Sequence, residues 1–161
     1  MKARSVLTIL ATACLALAAC SAGTTTSPSV SEPEASTGGA GNGVAVTLSE
    51  WSVANLPASL PAGSTTFTVT NDGPENVHEF VVIKTDIDVT ELPADETGAV
   101  DETGGSMEIL GEIEDIAVGA TQELTLDLAP GAYALVCNIY DETQQESHYQ
   151  LGMRSAMTVT Q

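Results

Sequence analysis

From Val44 onward, apolar and polar side chains fall into short runs with a period of two: Val44 to Leu48, Thr65 to Thr70, Val77 to Lys84, Gln122 to Leu128, Ala132 to Cys137 and Met153 to Thr160. That period sends successive side chains to opposite faces of an extended chain, so each run is predicted as a β-strand. Turn residues separate them. Leu60-Pro61-Ala62-Gly63, Asn71-Asp72-Gly73-Pro74 and Ala129-Pro130-Gly131 combine residues that preset or tolerate turn dihedrals. Several short strands at this spacing argue for an all-β sandwich or barrel. The stretch from Asp86 to Asp115 breaks the pattern. It is rich in Asp, Glu, Gly and Thr and contains the near-repeat Asp95-Glu96-Thr97-Gly98 and Asp101-Glu102-Thr103-Gly104. EF-hand spacing is absent, so it reads as an exposed acidic excursion rather than a calcium site, with Ile109 to Ile116 returning to the core.

The chain ahead of these strands has a different character. Lys2 and Arg4 precede an apolar run from Val6 to Leu17, too short to span a bilayer and of the right length for a secretion signal. Leu17-Ala18-Ala19-Cys20 resembles the bacterial lipobox. That resemblance implies cleavage before Cys20 and lipidation of its sulfur, leaving residues 1–19 as a signal peptide and the protein anchored outside the cytoplasm. An ordinary signal peptide cut nearby is the alternative. Residues 20–43 are Ser, Thr, Gly, Pro and Ala with little else, a composition predicted to form a flexible tether with a reach of roughly 25 Å. Residues 44–161 then make one domain of about 118 residues, in which a second core is not expected.

Charge narrows the range of partners. Beyond the signal segment, 22 acidic side chains face only Lys84 and Arg154. Nucleic acid is excluded as a partner on electrostatic grounds, and a basic partner protein is favoured. Cys14 and Cys20 belong to the export segment and its end, so Cys137 is the single thiol of the domain and no internal disulfide can form. An unpaired thiol outside the cell is open to oxidation unless it is buried or bound, and thiolates are strong metal ligands.

The chain has two histidines, His78 and His148, and Met153 follows five residues after the second. Two imidazoles and a thiolate in a plane, with a weak axial thioether, form the donor set of a mononuclear copper electron-transfer site. Cys137, His148 and Met153 fall in the connection before the last predicted strand, where one loop can wrap an ion. His78 opens an earlier strand just after a turn and can point from the same end. Zinc gains little from a thioether, so copper is the predicted metal. Met157 alternates into the last strand as a core residue, and Met107 lies in the acidic excursion. Trp51, Phe80 and Tyr133 are packing candidates.

These residues resemble the cupredoxins, the plastocyanin-like and sulfocyanin-like blue copper proteins. Asn71-Asp72-Gly73-Pro74-Glu75-Asn76-Val77-His78-Glu79-Phe80-Val81-Val82 is similar to that family's turn, ligand histidine and apolar strand. Pro130-Gly131-Ala132-Tyr133-Ala134-Leu135-Val136-Cys137 is similar to the thiolate-bearing strand, and His148-Tyr149-Gln150-Leu151-Gly152-Met153 with Met157-Thr158-Val159-Thr160 to the closing loop and last strand. The resemblance implies a Greek-key β-sandwich with His78, Cys137 and His148 as equatorial ligands of one copper ion and Met153 as the axial ligand. It further implies that the edge of His148 reaches the surface, with Tyr149, Leu151 and Gly152 forming an apolar docking patch. Two features depart from the family: the long stretch Asn138 to Ser147 between two ligands, and Glu79 where many relatives carry an asparagine. Both bear on the support of the ligand loop rather than on the ligands themselves.

No second bridging thiolate is present for a binuclear centre, no histidines remain for a catalytic copper, and no nucleophile elbow, phosphate loop or zinc-protease motif occurs. The expected role is therefore a non-enzymatic, monomeric one-electron carrier docking with redox partner proteins. A copper storage, delivery or sensing module could use the same ligands. A metal-free surface sandwich is a third reading.

Overall fold

A computed structural model describes residues 41–161. The expected signal segment 1–19, the expected lipidation site Cys20 and nearly all of the expected 20–43 tether lie outside the described residues.

The strands in chain order are β1 (Asn42–Ser49), β2 (Ser52–Ala54), β3 (Ser59–Pro61), β4 (Gly63–Asn71), β5 (His78–Lys84) and β6 (Glu108–Ile116). They continue with β7 (Thr121–Leu128), β8 (Gly131–Val136), β9 (Tyr140–Asp141) and β10 (Glu146–Ser147), then one helical turn α1 (His148–Leu151), then β11 (Arg154–Thr160). Each predicted run is a strand, with ends displaced by a residue or two. The strands not foreseen are short (β2, β3, β9, β10) or, like β6, carry exposed Glu108, Glu112 and Glu114 and an irregular register that breaks the alternation. Too few alternating positions exist in a two- or three-residue strand for a period to show.

Two sheets pack face to face, one ordered β2-β1-β4-β7 and the other β3-β11-β8-β5-β6. The chain crosses between them after β2, β3, β4, β6 and β7, and the pairs β1 with β4 and β3 with β11 are parallel. This is the all-β sandwich expected. Alternation decides the filling: Val44, Val46, Leu48, Phe67 and Val69 from one sheet meet Phe80, Val82, Leu135, Met157 and Val159 from the other. Burial of such side chains is the main stabilising term, about 1.5–3 kcal/mol each. Met157 is only 2% exposed, in the core role expected of it.

One expectation is corrected here. A second apolar cluster exists on the outer face of the five-stranded sheet, formed by Val81, Ile83, Ala134, Val136 and Tyr149 with Leu92 and Val100 from the excursion. Ile87, Val89, Met107 and Ile109 pack against it. The segment between β5 and β6 is thus a cover rather than a solvated loop. The physical reason lies in β5 and β8, whose runs Phe80-Val81-Val82-Ile83 and Tyr133-Ala134-Leu135-Val136 are buried on both faces. A strand apolar on both sides needs a layer on each, and the sparse apolar residues of the excursion supply the outer one. Among the described residues no helix is long and apolar enough to cross a membrane.

Candidate metal centre

One end of the sandwich gathers the predicted ligands. His78 opens β5, Cys137 directly follows β8, His148 opens α1 and Met153 directly precedes β11. Since β5 and β8 are antiparallel neighbours with Val81 opposite Val136, the start of one lies beside the end of the other. The intervening segment 138–147 is folded into the β9–β10 hairpin, so its length leaves the ligands close. The His148 N–H donates to the Ile139 carbonyl at 2.9 Å, and the Met153 N–H to the His148 carbonyl at 3.0 Å. The Cys137 N–H donates to the Met153 carbonyl, also at 3.0 Å.

The side chains converge accordingly. His78 Nδ1 lies 3.3 Å from His148 Nδ1, and Cys137 Sγ lies 3.9 Å from the first and 3.4 Å from the second. Met153 is fully buried in the same core cluster as Cys137. The three equatorial candidates are buried as well, Cys137 and His78 completely and His148 to within 2%. Sγ accepts a hydrogen bond from the Glu79 N–H at 3.2 Å.

The electrostatics match a site built to exchange protons for a cation. Burial, reinforced by His148 and partly offset by Glu50, lowers His78 to about 4. Burial also lowers His148, against the opposing pull of Asp141, Glu50 and Glu146. Both imidazoles are therefore neutral near pH 7, with lone pairs available. Burial pushes the Cys137 thiol up to about 11, with the Glu79 and Ile139 amides opposing the rise. A thiol proton is what a metal displaces.

Two imidazole nitrogens and one thiol sulfur within 4.8 Å of one another, all on buried residues, fit a type 1 copper site. The comparisons with known proteins bear on the fold. No family model matches the chain, and no curated protein matches its sequence. Among solved structures, dithionite-reduced auracyanin from the photosynthetic bacterium Roseiflexus castenholzii matches over 76% of this chain and all of its own, at 24% identity and a TM-score of 0.54. The fold is that of the cupredoxins. An azurin from Methylomonas sp. strain J matches 76% of this chain and all of its own at 17% identity and a TM-score of 0.53. Auracyanin A of Chloroflexus aurantiacus, described as a blue copper protein, matches 75% of this chain and all of its own at 18% identity and a TM-score of 0.52.

Within this cupredoxin fold the approach to the ligands differs from expectation. His148 and Tyr149 are buried, at 2% and 1% exposure, so little of either ring reaches solvent, and only Leu151 of the anticipated patch is clearly exposed, at 38%. Trp51, in the turn between β1 and β2, is the cause on one side. Its ring stands edge-on to His148 with centroids 4.8 Å apart and lies 6.4 Å from His78. Its carbonyl would be 3.3 Å from a Cβ at Gly152, whose φ of 121° already disfavours any other residue. Tyr149 is held by its hydroxyl, which donates to the Val89 carbonyl at 2.9 Å and accepts from the Leu92 N–H at 3.2 Å. A surface depression of about 440 Å³ lined by Glu75, Asn76, Val77, Asp115, Ile139 and Asp141 also borders His148.

Several supporting residues were not singled out from the sequence. Asn71 is fully buried. Its Nδ2 donates to the Asn76 and Ile116 carbonyls at 2.9 and 2.8 Å, and its Oδ1 accepts from the Gly73 N–H at 2.8 Å, which fixes the loop delivering His78. Asn138, next to Cys137, pairs with the Val100 backbone through both ends of its amide, at 2.6 and 3.1 Å, and donates to Glu102 at 2.8 Å. Ser147 donates to the Gly98 carbonyl at 2.8 Å and accepts from the Gln150 N–H at 3.3 Å. Asparagine beside a turn or a ligand was the available signal. It did not reveal which distant carbonyl each amide would reach.

Proposed function

We propose that this protein is a mononuclear type 1 copper carrier that moves single electrons and catalyses no reaction of its own. The observation that carries the reading is the convergence of His78 Nδ1, His148 Nδ1 and Cys137 Sγ at one buried point. In this reading those three atoms would hold the ion, and the Met153 thioether would be its fourth and weakest donor. Copper when bound supplies the Cu(I)/Cu(II) couple. The chain's residues hold the donors in place on strands and a hydrogen-bonded hairpin, exclude water by burial, and supply the Glu79 N–H that tempers the charge on sulfur. A pre-packed, buried site changes little between oxidation states. That favours electron transfer over copper delivery, which needs an exposed ligand for handover.

Anchoring through a lipidated Cys20 would hold the domain outside the cytoplasm on the 20–43 tether. The acidic surface, with only Lys84 and Arg154 as cations beyond the signal segment, would draw in a basic redox partner.

Addition of Cu(II) to the metal-free protein is expected to produce intense visible colour from thiolate-to-copper charge transfer, with reversible redox cycling and no loss of metal. Cys137→Ser abolishes the colour. Met153→Leu keeps it and shifts the potential, because the axial contact is weak. Release of copper on each reduction would instead establish the delivery reading.

A further inference from the structure

Glu50 lies in the turn between β1 and β2, beside Trp51, on the side of His78 away from the other donors. Its Oε1 accepts from the Asn76 N–H at 2.7 Å and the Glu75 N–H at 3.1 Å, and stands 3.8 Å from His78 Nε2. Among the described residues, Glu50 Oε2 and His78 Nε2 are buried side-chain atoms with no hydrogen-bond partner. Two unpartnered polar atoms on neighbouring side chains, one a carboxylate oxygen and one a ring nitrogen, are costly unless they serve each other. The chemistry of the ring decides the direction. His78 turns Nδ1 toward His148 Nδ1 and Cys137 Sγ and Nε2 toward the Glu50 carboxylate. The single proton of the neutral ring then sits on Nε2, which faces Glu50, and an ionised carboxylate can only accept.

We infer that Glu50 is the positioning residue for His78: its carboxylate takes the Nε2–H, fixes the ligating tautomer and strengthens Nδ1 as a donor to the metal. A carboxylate behind a ligating imidazole enriches the electron density offered to the ion and so favours the more highly charged state. Glu50 therefore ties two tasks together. Its hold on the Glu75 and Asn76 amides orders the loop entering β5, and its pairing with Nε2 sets the ring on that loop. The claim about the metal rests on the copper reading above, whereas the claim about the tautomer does not.

The test has two arms, on the full chain and on Glu50→Gln. In the first, ¹⁵N resonances of the histidine rings of the metal-free chain at pH 7 are expected to show the His78 proton on Nε2. Glu50→Gln keeps a carbonyl oxygen for the two amides but weakens this acceptor, and the proton redistributes toward Nδ1. In the second, the copper-loaded variant loses Cu(II) affinity by about 10- to 100-fold. A tenfold loss of preference for Cu(II) over Cu(I) appears as a potential raised by 59 mV. A proton found on Nδ1 in the unaltered chain overturns the inference. So does a variant whose tautomer and potential are both unchanged while its melting temperature falls, since that is the mark of a role in the loop alone. An unaltered chain that takes up no copper but holds its proton on Nε2 sinks the copper reading and upholds the Glu50–His78 pair.

Discussion

Glu79 occupies an uncomfortable place for a carboxylate. It follows His78 on β5, donates its own N–H to Cys137 Sγ, and is only partly exposed. Burial, then the nearby charges of Glu102 and Glu112, raise its carboxyl to about 7, with the Asn138 amide opposing the rise. The folded chain thus holds a proton that the unfolded chain releases near 4.5. Stability from this group is present below 4.5 and is lost as pH rises to 7. His78 has the opposite sign. Its folded value of about 4 against an ordinary 6.5 removes stability as pH falls through that window. For the metal-free protein, Glu79→Gln is expected to add about 1–2 kcal/mol at pH 8, after allowance for solvent screening, and nothing below pH 4.5. Denaturant unfolding of both proteins across pH 4–8 measures this, and an equal gain at every pH would show the carboxylate charge to be irrelevant. From the sequence, Glu79 was legible as a departure from the asparagine of the family. Its cause for discomfort was not, because Glu102 is 23 positions away and Glu112 lies on the paired strand β6.

At the scale of elements, the excursion between β5 and β6 and the ligand connection after β8 form one unit. Asn138 joins them by pairing with Val100, Ser147 reaches Gly98, and the Tyr149 hydroxyl spans Val89 and Leu92. Cys137 and His148 are both adjacent to these links. Asn138→Ala removes three side-chain hydrogen bonds and leaves the Val100 N–H and carbonyl to find other partners, a loss of about 1–3 kcal/mol. Amide exchange is expected to accelerate in residues 98–102 and in α1 while the main core stays protected. Uniform acceleration throughout the molecule would show that the cover is not a separate unit. The acidic composition of the excursion pointed to a solvated loop because Asp, Glu, Gly and Thr outnumber its apolar residues. The unbroken apolar runs in β5 and β8 were the contrary signal. They call for a second layer without saying which segment provides it.

For the whole molecule the dominant fact is charge, 22 acidic side chains against four basic ones in the entire chain. Encounter with a basic redox protein is expected to slow by tenfold or more, on the order of the steering effect itself, as ionic strength rises from 0.01 M to 1 M and the screening length shrinks from about 30 Å to about 3 Å. Stopped-flow electron transfer at several salt concentrations reads this directly, and a flat profile removes the steering role. The alternating runs determined that the chain makes packed β-sheets, a sandwich or a barrel, since a period of two leaves a face of the strand to bury. The scarcity of thiol and imidazole, one and two in the domain, named the donors before any geometry was known. Tertiary structure alone decided what stands around them: Trp51 over His148, Glu50 behind His78 and the excursion over the outer sheet. Residues 50 and 78, like 100 and 138, are neighbours only because strands far apart in the chain end on the same side of the fold. Local periodicity carries no information about which distant turn will meet which ligand.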